Sequence, residues 1–330
     1  MLNVMTVDVE DYFHASAFAD SVSPADWTTL QSRVVRNTDR LLEIFDHAGV
    51  RATFFVLGWV AEQFPDLISR IAQAGHELAS HSYDHGLVYH KTPEVFRADL
   101  RRAAAAIESA AGVKVEGFRA PTFSITERSL WALDTLISEG YTFDSSIYPI
   151  RHDRYGIPAW PRHVHRVGCA SGSLWELPGS TIRHLGINVP MGGGGYFRLL
   201  PYQWTRYAIR RLNKKEQRPA VFYIHPWEID PEQPRIRTGV VSTFRHYSNL
   251  DQTEQRLLRL LKDFRFCTVS DLLAETGKAR KPATFYPQAE RNSENWSAPP
   301  PNTEEQRAGP MADSLLPLPR HAPSKCPSDM

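Results

Sequence analysis

His81-Ser82-Tyr83-Asp84-His85 sets two imidazoles four positions apart, downstream of an acidic cluster at Asp8, Glu10 and Asp11. Residues i and i+4 share a face of a helical turn, so this spacing predicts that both rings converge on one point. Two imidazoles joined by one carboxylate from a distant strand leave coordination positions open on a divalent cation, as a hydrolytic metal site requires. The same pentapeptide also fits polar residues at a helix start, with Ser80 or Ser82 as the cap.

The elements that must position these groups follow from the hydrophobic pattern. Leu2 to Val9 is an apolar run ending in acids, which predicts a buried strand delivering Asp8 at its carboxyl end, the end that faces the active site in parallel α/β architectures. Helical spacing from Arg33 to Ala48, a strand over 51–58, a helix over 59–73 interrupted before Pro65, and a strand over 76–80 bring the chain to the histidine pair. That rhythm predicts right-handed β-α-β units around a parallel sheet or barrel. Thr92 to Ala111 reads as an amphipathic helix, and residues 113–118 as a strand ending in Arg119-Ala120-Pro121. Ser124 to Glu127 has capping-box spacing and is expected to open a helix running to Glu139. Residues 141–146 form the next strand end, carrying Asp144, and residues 219–224 a strand delivering His225. A long helix over 251–264, a strand over 266–269 and a short helix over 271–276 follow.

Two stretches depart from this rhythm. Residues 148–197 are rich in proline, glycine and aromatic residues. The run Gly192 to Gly195 lacks the lysine and hydroxyl residue of a phosphate loop, and is expected as a turn at the substrate cleft. After Gly277 the composition turns to proline, serine, asparagine and charge, too poor in apolar residues to offset the entropy of ordering the backbone. We therefore expect one domain over 1–277 and a disordered tail over 278–330.

The 330 residues carry 38 basic and 37 acidic side chains, a net charge of +1, which gives no sign of a nucleic-acid footprint or a polybasic membrane surface, so any polyanion partner would have to be recognised locally. Three cysteines, Cys169, Cys267 and Cys326, form no framework and suit a reducing compartment. The amino terminus enters a strand-like run without a leader pattern, and no apolar stretch reaches the roughly 18–20 residues of a membrane span. A soluble, cytoplasmic protein is the expectation.

The segment Val7-Asp8-Val9-Glu10-Asp11-Tyr12-Phe13, the HSxxH element at 81–85 and the RxP element at 119–121, in this order, resemble the polysaccharide deacetylases (NodB homology, carbohydrate esterase family four). The likeness runs over about residues 4–275, and is strongest to the branch associated with bacterial exopolysaccharide gene clusters. It implies an α/β fold, a distorted (β/α) barrel with fewer than eight regular strands.

Carried over residue by residue, the resemblance implies that Asp8 is the general base and that His81 and His85 are metal ligands. The family's metal carboxylate directly follows its base, where this chain has Val9. Glu10, two residues on, shares the strand face of Asp8, whereas Asp11 needs the chain to turn first; we favour Glu10 and keep Asp11 open. Arg119 matches the arginine that holds the aspartate charged and oriented. Thr122 matches the position whose N–H helps hold the oxyanion, His225 the general acid, and Asp144 the acid that orients His225. Trp175 and Leu177 match a pocket for the acetyl methyl, and Tyr12 is a candidate for stacking on a sugar ring.

The implied function is metal-dependent removal of N-acetyl groups from amino sugars of a bacterial polysaccharide or a lipid-linked glycan precursor. The cation is divalent, with zinc favoured by imidazole plus carboxylate. A location peripheral to a membrane synthesis complex would fit relatives that act beyond the membrane. Two other readings share the fold: an allantoinase-like hydrolase of small amides, and a non-catalytic glycan-binding barrel.

Overall fold

Strand β1 (Leu2–Val9) is buried along almost its whole length because both of its faces are covered. The computed structural model describes residues 1–191, 193–279 and 284–287. β1 pairs in parallel with β10 (Val221–Ile224) on one side; on the other, its carboxyl half pairs with β2 (Thr53–Val56) and its amino end with β11 (Arg265–Cys267). From β2 the sheet continues through β3 (Glu77–Ser80), β4 (Gly117–Phe118) and β5 (Phe143–Asp144) to β7 (Gly172–Glu176) and β6 (His165–Cys169). Every one of these pairings is parallel except the β6–β7 hairpin. The result is a mostly parallel α/β sheet, as the sequence implies, and no ladder among the described residues joins its two ends into a closed barrel.

Helices cover the outer face. α1 (Val34–Ala48) stops at Gly49, whose φ of 63° is the left-handed conformation that glycine adopts without a Cβ clash. The break before Pro65 is present: α2 (Gly58–Gln63) ends and α3 (Pro65–Gln73) begins with that proline in its first turn. α4 (Pro93–Ala111) is capped by Thr92, whose side chain accepts a hydrogen bond from the Val95 N–H. Where α2 crosses α4, a Cβ on Gly58 would stand 2.8 Å from Ala103 Cα, so the close approach needs glycine there. The chain continues through α5 (Trp131–Ser138), a hairpin of β8 (Thr181–His184) and β9 (Ile187–Pro190), α6 (Gly194–Leu199) and α7 (Tyr202–Arg211). After β10 come α8 (Val240–Tyr247), α9 (Leu250–Asp263) and α10 (Val269–Ala279).

Several expectations need correction. Residues 81–85 are not helical; Ser82 and His85 take positive φ values of 68° and 57°. The strand expected over 113–118 shrinks to Gly117–Phe118. At 124–139 a short 3-10 turn capped by Thr126 and Ser129 precedes α5, because Ser124 Oγ instead accepts the Val88 N–H. The β8–β9 hairpin was not legible in the irregular 148–197 stretch. Gly193 and Gly194, in positive-φ conformations, pack against the Tyr223 ring, while Gly192 lies outside the described residues. Within the expected tail, Thr284–Phe285 forms β12 and pairs with Arg166 and Val167 of β6. Residues 288–330 lie outside the described residues, as do 280–283.

Candidate active site and metal centre

The carboxyl ends of β1, β3, β4, β5 and β10 deliver Asp8, His81, Arg119, Asp144 and His225. A parallel sheet aims these ends at one face, so residues far apart in sequence meet there.

Asp8 and Arg119 form a buried pair, Arg119 Nη1 donating to Asp8 Oδ1 at 2.6 Å and to Thr6 Oγ1 at 2.9 Å. The rest of the guanidinium is anchored on Ser145, through its carbonyl at 3.2 Å and its hydroxyl at 3.0 Å, and lies 4.2 Å over the Phe55 ring. Asp8 Oδ2 is left facing His225 Nε2, 3.8 Å away.

Beside this pair, single ligand atoms of Glu10, His81 and His85 all lie within 4.8 Å of one another. His81 Nδ1 sits 2.8 Å from the Arg119 carbonyl, which can only accept, so Nδ1 carries the proton and Nε2 keeps its lone pair. Glu10 Oε2 is 2.9 Å from His85 Nε2 yet is buried without a hydrogen-bond partner. An orphaned carboxylate oxygen converging with two imidazole nitrogens fits a divalent cation of the zinc type. Burial would raise the Glu10 carboxyl, but the imidazoles of His85 and His225 hold it well below the usual range. Burial pushes the His81 imidazole down to about 4, so it stays neutral as a ligand must.

The positive-φ loop carrying the histidines is held from α4 and its approach. Ser82 Oγ donates to Asp99 at 2.7 Å, the Tyr83 N–H donates to the same carboxylate at 3.2 Å, and Lys91 Nζ bridges Asp99 and Asp84. These contacts offset the cost of the backbone conformation that aims both rings inward. Neither Asp99 nor Lys91 was singled out from sequence.

Asp11 is not at this centre. Its Oδ2 accepts from Ser32 Oγ and from the N–H groups of Arg33 and Val34, and its Oδ1 from the Tyr12 N–H. The carboxylate is therefore consumed in capping α1, and of the two acids it is Glu10 that lies beside the imidazoles.

Asp144 does not reach His225 either. It accepts hydrogen bonds from the hydroxyl and N–H of Ser146 and lies opposite Glu176 in the β5–β7 ladder. The partner of His225 is Glu228, whose Oε2 is 3.1 Å from Nδ1 and accepts the His225 N–H at 3.0 Å. Arg198 Nε in turn donates to Glu228 Oε1 at 2.7 Å. Burial opposes charging His225, but Glu10 and Glu228 raise it to about 9; His225 and Arg198 together hold Glu228 at about 2 against its burial. Sequence reasoning missed Glu228, although three residues after His225 in a capping turn is a readable spacing.

The expected substrate contacts fare unevenly. Thr122 lies in the turn three residues after Arg119, with φ of 55° and its Oγ1 2.5 Å from Ser16 Oγ. Leu177 is fully buried, and Trp175, half-buried, belongs to the same interior cluster with Phe55 and Phe143. Trp175 stands one residue toward the amino end from the Asp144–Glu176 level, beneath the site. Tyr12 is buried with Phe13, Trp27 and Trp227 and offers no open ring face to a sugar. Trp227 instead lines the centre, stacked on His225 at 5.1 Å with its Nε1 3.4 Å from Glu10 Oε1.

The chain is thus a mostly parallel α/β protein with an imidazole–carboxylate cluster at the carboxyl edge of its sheet. Residues 26–139 match the polysaccharide deacetylase family model, and residues 145–274 match a domain of unknown function, DUF3473. Over residues 26–139, the part that the family model covers, the chain carries a polysaccharide deacetylase domain. It is 28% identical over 120 residues to a peptidoglycan-N-acetylglucosamine deacetylase of Bacillus cereus, covering 33% of this chain and 44% of that protein. It is 31% identical over 151 residues to a peptidoglycan deacetylase-like protein of Gibberella zeae, covering 45% of this chain and 44% of that one. The chain thus matches less than half the length of these curated relatives. A solved Mycobacterium smegmatis structure assigned by name to the polysaccharide deacetylases shares the fold, at 22% identity and a TM-score of 0.56, covering 86% of this chain and 93% of that one.

Proposed function

We propose that the chain is a metal-dependent N-deacetylase acting on N-acetylated amino sugars of a bacterial polysaccharide or of its lipid-linked precursor. The observation that carries this reading is the meeting of Glu10, His81 and His85 beside the Asp8–Arg119 pair. The names of the relatives, deacetylases of peptidoglycan and of chitooligosaccharides, support the substrate class.

Glu10, His81 and His85 would hold the cation, which when bound supplies Lewis acidity and lowers the pKa of a coordinated water to roughly 7. Asp8 accepts a proton through Oδ2, the oxygen that Arg119 leaves free, as water attacks the acetamide carbonyl. The Thr122 N–H is our candidate donor to the carbonyl oxygen as it gains charge. His225 Nε2 gives a proton to the amide nitrogen as the carbon–nitrogen bond breaks, and Glu228 steadies the resulting ring through Nδ1. Acetate and a free amino sugar leave.

No helix of the described residues is long and apolar enough to cross a membrane. A cytoplasmic enzyme working on a precursor at the membrane, within exopolysaccharide synthesis, is the setting we propose. The test is acetate release from N-acetylglucosamine oligomers by metal-replete protein. Release that a chelator abolishes and zinc restores is expected; hydrolysis of a ureide without acetate release, or no hydrolysis at all, would overturn the reading.

A further inference from the structure

Helix α8 presents two opposite faces. On its inner face His246 is buried and stacks on Trp227 with centroids 4.2 Å apart, and Trp227 stacks in turn on His225. The same face packs on Phe18, and the segment before the helix is tied down by the Ile236 N–H donating to Tyr247 Oη at 2.8 Å and Thr238 Oγ1 donating to the Ala17 carbonyl at 3.0 Å. α8 is therefore packed behind Trp227, one ring removed from His225, and is fixed in place by these contacts.

Its outer face is apolar. Val240, Val241 and Phe244 are 87%, 63% and 63% exposed, an unusual loss for large hydrophobic side chains within five residues of one another. Arg235, Arg237 and Arg245 flank them, all exposed, and residues 235–247 contain no acid. Arg235 is held in position with its guanidinium 4.2 Å over the Tyr247 ring. Asp20, next to the Ser21 that bonds the Arg237 carbonyl, is the acid of the adjoining loop.

From this surface we infer that the outer face of α8 docks on an anionic lipid bilayer. Apolar side chains ringed by arginines complement a boundary where acyl chains lie beneath negative headgroups. A second copy of the chain would bring arginines against arginines. A glycan would seek aromatic faces, and of the three exposed side chains only Phe244 offers one. Docking through the outer face of α8 would hold the chain at the surface in which a lipid-linked glycan is anchored. That consequence rests on the proposed deacetylase activity, whereas the docking does not.

The test is co-sedimentation of the full chain with vesicles of phosphatidylcholine alone and of phosphatidylcholine mixed with phosphatidylglycerol. Binding to the mixed vesicles is expected, with weaker binding to the neutral ones and a decline as salt is raised. Val241→Asp with Phe244→Asp, and separately Arg235→Glu with Arg237→Glu, are expected to weaken it by about tenfold or more while leaving acetate release from soluble oligomers unchanged. All four positions are exposed, and circular dichroism checks the fold of each variant. Failure of the wild-type chain to bind mixed vesicles would overturn the inference and leave the patch to a protein partner. Equal binding to neutral vesicles, or wild-type binding by the Val241→Asp, Phe244→Asp variant, would overturn it as well. Because sedimentation reads no catalysis, a chain that binds vesicles without releasing acetate would fail the functional reading alone.

Discussion

Arg119 Nη1 donates to Asp8 Oδ1 across 2.6 Å inside the protein, and this contact decides which carboxylate oxygen faces the reacting centre. Asp8→Asn keeps the shape and a hydrogen-bonding oxygen but cannot take a proton. Acetate release should fall by about 10²- to 10⁴-fold, with zinc content by atomic absorption unchanged. Activity within a few-fold of wild type would remove Asp8 from the role of base.

Glu228 contacts His225 through Nδ1, whereas the Asp144 carboxylate is bonded to Ser146. Glu228→Gln should lower kcat by roughly 10- to 100-fold, the scale of losing the partner that fixes an imidazole. Asp144→Asn should leave the His225 imidazole resonances in NMR spectra near their wild-type positions. A larger displacement of those resonances in Asp144→Asn than in Glu228→Gln would reverse the assignment.

Asp11 caps α1 through its side chain, so Asp11→Ala should destabilise the fold while sparing the metal centre. The loss is expected at about 2 kcal/mol, the upper end for a helix cap, seen as a lower midpoint in urea unfolding. Zinc affinity by calorimetry should stay within a few-fold of wild type, and loss of zinc binding without loss of stability would contradict this.

The carboxyls of Asp144 and Glu176 face each other in the β5–β7 ladder. Burial pushes Asp144 up to about 6, and burial with the Asp144 charge raises Glu176 further. An acid whose folded pKa exceeds its unfolded value stabilises the fold below the unfolded pKa and loses that contribution as pH rises through the folded one. Glu176→Gln removes the need for a shared proton. Its melting temperature relative to wild type should therefore climb between about pH 4 and pH 8. A flat difference across that range would show that the pair holds no raised pKa.

Strand ends were legible because β1, β2 and β10 are largely apolar runs and the short, half-polar β3 falls in the same strand–helix rhythm, which placed Asp8, His81 and His225 on one face. The histidine spacing brought the two rings together as expected, but from a non-helical conformation. Their convergence depends on positive φ at Ser82 and His85, held by Asp99 from α4, and no local pattern encodes that long-range support. Glu10 followed from strand alternation, whereas the capping role of Asp11 depends on where Ser32 and Arg33 return in space. The resemblance pointed to Asp144 as the partner of His225, but its carboxylate is taken by Ser146 and faces Glu176. Tyr12 and Trp175 mislead for a simpler reason: an aromatic residue near a site has the same letter whether it lines the cleft or fills the core.

The central claim is tested most directly by anomalous scattering from crystals of the chain soaked in zinc. The account predicts one strong peak bonded to Glu10, to His81 through Nε2 and to His85, with Asp8 alongside. A peak held by Asp11, or no peak among these three side chains, would contradict it.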